Sequence, residues 1–188
     1  MTFWKSVDVE PKRSFRFLLD LGADGTSHLA SYFIKAVKKP NFTMDATQEV
    51  KYIGHTFKYP GRVKWEDITV TIIDPASPDA AVTMMNILSN SGYQTPKTEA
   101  LAKETVSKKK SAGALGAVQI RQINANGSDI EKWFLHNAFL QNVDFGELSY
   151  ENDDIVSYTL TISYDHATMS RVTGVSPNPD PRIQSTST

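Results

Sequence analysis

The residues best suited to chemistry in this sequence are its histidines, because the chain contains no cysteine. Without cysteine, thiolate catalysis, disulfides and cysteine-ligated zinc or iron–sulfur centres are excluded. The four histidines are His28, His55, His136 and His166. None of them has the H-E-x-x-H spacing of a zinc site or a carboxylate at ligand spacing. We therefore interpret them as ordinary surface or interface residues.

The other charged and flexible stretches are equally weak candidates for a site. Four acidic residues could bind a hard cation, but their spacing does not match an EF-hand and is typical of a solvated turn: Glu147, Glu151, Asp153 and Asp154. The run Lys108–Lys110 is typical of a solvated loop. Gly113 and Gly116 lack the strand and helix that flank a phosphate-binding loop. The sequence predicts no enzyme, no cofactor and no metal site.

The composition is that of one soluble domain. The 188 residues are enough for a substantial core, and 40% of them are hydrophobic. With 20 basic and 21 acidic residues the formal charge is −1, which argues against a protein that coats nucleic acid. No stretch has the apolar length of a signal peptide or of a membrane helix, which needs about 20 residues. We expect synthesis in a cytoplasm and no membrane binding.

Alternation of apolar and polar residues predicts a mainly β (α+β) fold of antiparallel strands, a sandwich or barrel with one packed helix. FRFLLDL at residues 15–21 and LASYFIKAV at residues 29–37 are typical of two strands joined as a hairpin. IVSYTLTISYD at residues 155–165 is the clearest strand, with alternate apolar residues from Val156 to Tyr164. Its other face consists of small hydroxyl residues.

The stretch WEDITVTIIDPASPD at residues 65–79 predicts a strand followed by a helix start. Ile68, Val70 and Ile72 lie on one strand face, opposite Thr69 and Thr71. In the segment that follows, Ser77 is the predicted N-cap, with Pro78 and Asp79 in the first turn. The predicted buried stripe of the helix consists of Ala81, Met84, Met85 and Leu88, and Gly92 ends it.

Two long segments, residues 40–58 and 93–114, are predicted to be loops. The first carries aromatic residues (Phe42, Tyr52 and Phe57) that we expect to be exposed and to meet a partner. The second is Lys-rich, with a possible helical turn at Glu99–Thr105.

Three stretches together resemble the tail-tube proteins of contractile-tailed phages of the T4-like kind and their relatives in phage-tail-like injection particles. They are SYFIKAVKKPNF leading to IGHTFKYPGRVKW, then WEDITVTIIDPASPDAAVTMMNIL, and finally FGELSYENDDIVSYTLTISYDHA. The likeness covers about residues 15–167. It divides the chain into an N-terminal arm (1–14), a tail-tube domain (15–167) and a flexible C-terminal tail (168–188).

The resemblance implies a structural virion protein without enzymatic activity. Six subunits would form a ring with a continuous β-barrel channel, and rings would stack into the inner tail tube that delivers DNA. The implied partners are further copies of the chain, the tail sheath, baseplate and tail-terminator proteins, and transiently the tape-measure protein and DNA. The implied location is the virion tail, assembled in the host cytoplasm.

The resemblance also implies two sets of site residues. The channel-lining candidates are the hydroxyl residues Thr69, Thr71, Ser157, Thr159, Thr161 and Ser163. The candidates for ring stacking and contacts between subunits are Lys38, Lys39, Phe42, Tyr52, Ile53 and Phe57.

Two alternatives remain open from the sequence. A longer loop at residues 93–114 and a Pro-rich tail distinguish the chain from the simplest family members, so a baseplate tube-initiator ring or a secretion-system tube protein is the first alternative. The second, from another class, is a monomeric β domain that binds a ligand or peptide through its long loops.

Overall fold

Two four-stranded antiparallel sheets form the body of the molecule in the computed structural model, which describes residues 11–22, 33–45, 48–151 and 153–171. The strands are β1 (Phe17–Leu21), β2 (Ile34–Val37), β3 (Asn41–Met44), β4 (Gln48–Tyr52), β5 (His55–Tyr59), β6 (Val63–Glu66), β7 (Ile68–Ile73), β8 (Val118–Ile123), β9 (Asp129–His136), β10 (Phe139–Asp144), β11 (Ser157–Ser163) and β12 (His166–Arg171). The helices are α1 (Ala80–Asn90), α2 (Glu99–Ala102) and α3 (Lys108–Leu115). Sheet A has the order β1-β8-β9-β12, and sheet B has the order β10-β11-β7-β2.

One hydrophobic core contains the inward side chains of both sheets and of α1. The predicted alternation on the two central strands of sheet B is confirmed, since their inward residues are buried: Ile68, Val70, Ile72, Tyr158, Leu160 and Ile162. Leu19 and Ile120 bring sheet A into the same core. Burying each such side chain contributes roughly 1.5–3 kcal/mol. The mainly β, antiparallel character that the sequence predicted is therefore confirmed.

The predicted helix after β7 is present, but its N-cap residue and its buried residues differ from those predicted. Asp79, not Ser77, is the N-cap, because its carboxylate accepts a hydrogen bond from the Val82 backbone N at 3.2 Å. The buried residues are Ala80, Met84 and Ile87, whereas Met85 and Leu88 are exposed. The helix ends before Gly92, as predicted, and Gly92 has a φ of +106°. A Cβ there would lie 2.7 Å from the Thr105 backbone oxygen, so only glycine fits.

The predicted hairpin between the first two strands is wrong. β1 pairs with β8 in sheet A, whereas β2 pairs with β7 in sheet B. Phe15, predicted within the first strand, precedes β1 and is exposed. Residues 23–32 lie outside the described residues. Alternation identifies a strand but does not identify its partner, which is set by the packing of the whole domain.

Both segments predicted as loops contain regular structure. β3, β4 and β5 occupy most of residues 40–58, and α2 and α3 lie within residues 93–115. The helical turn predicted at Glu99–Thr105 is confirmed as α2, but α3 was not predicted, so the prediction of one packed helix is wrong. Ser107 is the N-cap of α3, because its hydroxyl accepts a hydrogen bond from the Lys110 backbone N. Leu115, at the end of this helix, is buried in the core. A final strand, β12, runs from His166 to Arg171, past residue 167.

Candidate functional site

Sheet B presents a row of hydroxyl side chains on the face opposite the core. Thr71 pairs with Thr159 and Thr69 pairs with Thr161 on the adjacent strands β7 and β11. Directly opposed residues share a face of the sheet, so these four hydroxyls lie together. Ser157 and Ser163 continue the row at the two ends of β11. The structure thus brings all six predicted channel-lining candidates onto one surface.

Two residues of this surface were missed by the sequence analysis. Asn142 pairs with Thr161 and Asp144 pairs with Thr159 on the outer strand β10, and both are exposed. Asp144 also accepts a hydrogen bond from the Gly146 backbone N at 2.9 Å. Only the last three residues, Asn142-Val143-Asp144, alternate, and a register shift between Leu140 and Asn142 hides the strand pattern in the sequence. The outer face of sheet B is therefore polar at the centre of three strands, with one carboxylate. Phe139 and Ile73, which pair with Ser163 and Ser157, add apolar side chains at its two ends.

A two-stranded extension projects from β2 and β7; we call residues 41–45 and 48–66 the β-arm. β3 pairs with β6, and β4 pairs with β5. Phe42 pairs with Trp65 in the first ladder, and Val50 pairs with Phe57 in the second. Val50 is eight residues after Phe42, and Phe57 is eight residues before Trp65. The two ladders therefore have the same register. Every residue of β4 and β5 is exposed.

One face of the β-arm is apolar and open to solvent. Because opposed residues and every second residue share a face, the apolar side chains fall on the same side. They are the more than half-exposed Phe42, Met44, Val50, Tyr52, Phe57, Tyr59 and Val63, with partly buried Trp65. Gln48 and His55, which pair with Tyr59 and Tyr52, are the polar residues of the same face. A solvent-exposed two-stranded ribbon is marginal on its own, and a contiguous apolar face marks an interaction site.

The turn of the β-arm carries an unusual residue. Ile53 has a φ of +53° and a side chain that is 90% exposed. A β-branched residue in the left-handed region is strained, and glycine is the residue usually found there. Such strain is typical of functional positions. Ile53 and Tyr52, both ring-stacking candidates, lie at this tip.

The base of the β-arm is anchored in both sheets. The ring of Trp65 lies 5.5 Å from that of Phe42 and 6.1 Å from that of Tyr164, measured between centroids. Lys39 donates to Gln122 Oε1 at 2.6 Å and to Glu131 Oε1 at 3.0 Å. Lys39, predicted as a contact between subunits, is thus engaged within the subunit. Lys38 is exposed.

Glu131 is a buried carboxylate held by three donors. Burial by itself raises the pKa of this carboxyl, but hydrogen bonds from Lys12, Trp133 and Lys39 outweigh burial and lower the pKa from 4.5 to about 2. Lys12 lies before β1, and Lys39 lies before β3. A single ionised group on β9 therefore ties the chain before sheet A to the base of the β-arm.

The histidines and charge runs do not form a catalytic site in the part of the chain that is described. His136 and His166 stack with their centroids 4.4 Å apart, and His55 is exposed beside the arm turn. His28 lies outside the described residues. Lys108, predicted to be solvated, donates to Asp165 at 2.6 Å. Across residues 11–22, 33–45, 48–151 and 153–171, no group of three or more metal-ligating residues comes together. No helix of these same ranges is long and apolar enough to cross a membrane.

The two sheets with their free polar face and projecting ribbon define a mainly β fold that also occurs in contractile injection systems. A chain in the cryo-EM structure of the PVC sheath–tube complex, an extracellular contractile injection system in the extended state, is 20% identical, with a TM-score of 0.63. The match covers 92% of this chain and 100% of that one. A chain of the PVC sheath/tube terminator is 18% identical, with a TM-score of 0.62 over 88% of this chain and 99% of that chain.

A chain in the baseplate of the anti-feeding prophage has the same fold. It is 15% identical, with a TM-score of 0.62 over 88% of this chain and 99% of that chain. No protein-family model and no curated protein matches the sequence. The resemblance to proteins of phage-tail-like injection particles is thus confirmed at the level of the fold.

Proposed function

We propose that this chain is a structural subunit of the inner tube of a contractile phage tail or a related injection particle. Six copies form a ring in which sheet B lines a central channel, and rings stack into a tube. The chain covers at least 99% of matched chains from a sheath–tube complex, a terminator and a baseplate, which supports a role as a subunit of such an assembly.

The observation that carries the proposal is the hydroxyl face of sheet B. A wall that DNA passes must not hold phosphates, and each phosphate neutralised by Lys or Arg adds affinity. Thr69, Thr71, Thr159 and Thr161 supply small neutral groups at the centre of this face. DNA and a tape-measure protein are therefore the proposed transient occupants of the channel.

The edges of sheet B support closure into a ring. Within the described residues, β10 and β2 each pair with one strand and have a free outer edge. Free edges invite pairing with another chain, and barrel closure removes them. Six copies joined in this way would give one continuous barrel around the channel.

The β-arm supports stacking of the rings. Trp65 at the base of its apolar face packs against Tyr164, whereas the other apolar side chains of that face are more than half exposed. A contact between unlike surfaces that does not close continues as a filament. Sheath, baseplate and tail-terminator proteins are the proposed further partners, and the virion tail is the proposed location.

A tube-initiating ring is the second candidate function. It is supported by the match to a chain of a baseplate structure, with a TM-score of 0.62 against 0.63 for the chain of the sheath–tube complex. A tube subunit stacks without limit, whereas an initiating ring stops after one layer unless the next protein is added.

Light scattering over a range of protein concentrations tests the proposal. We expect a species of about 125 kDa, six times the 20.9 kDa chain, and larger species that are multiples of it. A 20.9 kDa monomer at every concentration would refute the tube role and support a monomeric binding domain.

A further inference from the structure

The connection between β10 and β11 forms an open groove that no other part of the described chain fills. The groove has a volume of about 690 Å³ and is lined by Gly146, Glu147, Leu148, Ser149, Tyr150, Asp154, Ile155, Val156 and Ser157. Three of its apolar side chains, Leu148, Tyr150 and Ile155, are at least 73% exposed. A cluster of exposed apolar residues of this kind favours a contact with another protein.

The groove and the β-arm carry opposite charge. Residues 144–156 contain five acidic residues and no basic residue. Residues 48–64 of the β-arm contain four basic residues and one acidic residue, Glu49. Among the described residues, Glu147 and Asp154 make no ion pair, and neither do Lys51 and Lys64. Opposite potentials of this kind select a partner and fix its register.

The two surfaces lie at opposite ends of sheet B. Ile162, near the end of β11, pairs with Ile68, where β7 begins and the β-arm is attached. Ser157, where β11 begins and the groove ends, pairs with Ile73 at the far end of β7. The β-arm therefore leaves sheet B at the end opposite the groove, and we consider the groove of a neighbouring copy as its partner.

We propose that the tip of the β-arm of one copy docks in the groove between β10 and β11 of the next copy along the tube. Ile53 and Tyr52 enter beside Leu148, Tyr150 and Ile155, while Lys51, one residue from Tyr52, lies against the acidic rim. The contact joins unlike ends, so it repeats without closing and yields a filament. This inference rests on the proposed function and names the surface that receives the arm.

Charge exchange between the two surfaces tests the inference. The arm variant carries Lys51→Glu, and the loop variant carries Glu147→Lys and Asp154→Lys. The matched control carries Lys97→Glu and Lys109→Glu, at two exposed positions away from both surfaces. All substitutions are at exposed sites, so we expect similar thermal unfolding for all variants, which circular dichroism checks.

Sedimentation and negative-stain microscopy then measure stacking. We expect each variant alone to form rings but to need at least about tenfold more protein to stack, as like charges now meet. An equimolar mixture should regain stacking, because each variant supplies the charge that the other lacks. The control should stack like the unaltered protein.

The outcomes separate the docking site from the tube role. A loop variant that stacks normally, or a mixture that stays as single rings, overturns the docking site while the rings uphold the proposed function. If the arm variant loses stacking and the loop variant does not, the arm binds another partner, and the proposed docking site is also overturned. If the unaltered protein forms no rings, the proposed function fails and the inference fails with it.

Discussion

The ammonium of Lys39 lies 3.0 Å from Oε1 of Glu131, which joins the base of the β-arm to the third strand of sheet A. Lys12 and Trp133 donate to the same carboxylate. An isolated two-stranded ribbon is marginally stable, so contacts at its base matter. Glu131 is therefore one point at which the base of the β-arm is tied to sheet A.

Removing the charge of Glu131 should lower stability in a pH-dependent way. The folded pKa is about 2 and the ordinary value is 4.5, so the ionised group stabilises the fold fully above pH 4.5, and this contribution is lost as the pH falls toward 2. Because both lysine side chains are about half exposed, we expect Glu131→Gln to cost only about 1–2 kcal/mol at pH 7. Urea denaturation measures this cost.

The difference between Glu131→Gln and the unaltered protein should shrink at pH 3. Glu99→Gln is the matched control, since that side chain is 87% exposed and pairs with Lys103 on the surface; its effect should stay below about 0.5 kcal/mol. Equal stability of Glu131→Gln and the unaltered protein at pH 7 would contradict the anchoring role.

Tyr158→Phe should destabilise the junction of sheet B and α1. The Tyr158 hydroxyl donates to Asp74, whose other carboxylate oxygen accepts from the Ala80 backbone N at 3.3 Å. The hydrogen bond to Asp74, with burial, raises the pKa of Tyr158 from 10.0 to about 12. We expect a loss of about 1–2 kcal/mol at pH 7, measured by urea denaturation.

The pH dependence of this effect has the opposite sign to that of Glu131. The protonated hydroxyl stabilises the fold below pH 10, and this contribution is lost as the pH rises through about 12. The cost of Tyr158→Phe should therefore disappear at high pH. Tyr93→Phe, at a half-exposed position, is the control. If the free-energy cost of Tyr158→Phe stayed constant across this pH range, the hydrogen bond that the Tyr158 hydroxyl donates would not be the source of its stabilising effect.

Ile53→Gly should separate folding from assembly. Glycine relieves the strain at a φ of +53°, so the free energy of unfolding should stay equal or rise by about 0.5–1 kcal/mol. Loss of the exposed side chain at the tip should nevertheless raise the concentration needed for stacking several-fold. Thermal unfolding and light scattering on the same samples check both effects, with Val106→Ala as a remote exposed control. Unchanged stacking would remove Ile53 from the contact.

Lysine on the hydroxyl face should leave rings intact and slow DNA ejection. Thr159 and Thr161 face away from the core, so Thr159→Lys with Thr161→Lys should fold, and the added charges should retain phosphates. Ejection from assembled particles measures the effect. Ser170→Lys, on the exposed strand β12, is the control. Normal ejection by the double variant would exclude this face as the channel wall.

The central strands of the fold were predictable because one face of each is buried. Ile68, Val70 and Ile72 alternate with polar residues in β7. The same two-residue period in β11 identified the row of hydroxyl residues in the sequence. Strand pairing was not predictable in the same way. β1 and β2 are near in sequence but belong to different sheets, and nothing local in either strand specifies its neighbour.

The β-arm was missed as a structure although its exposed aromatics were noticed. Its apolar residues are not buried within the subunit, and Lys, Gly and Pro interrupt the pattern, so the alternation is weak by the usual criteria. Helix α3 was missed because the lysine run suggested a solvated loop, while the capping signal of Ser107 was overlooked. The cap of α1 was misplaced because Ser77 and Asp79 are both good N-cap residues, and sequence alone does not choose between them.

A cryo-EM reconstruction of the assembled protein tests the central claim most directly. We expect a six-fold ring in which β7 and β11 run along the channel, with Thr69, Thr71, Thr159 and Thr161 facing the axis. A ring with this face turned outward would contradict the channel assignment. Protein that stays monomeric at every concentration would contradict the tube itself.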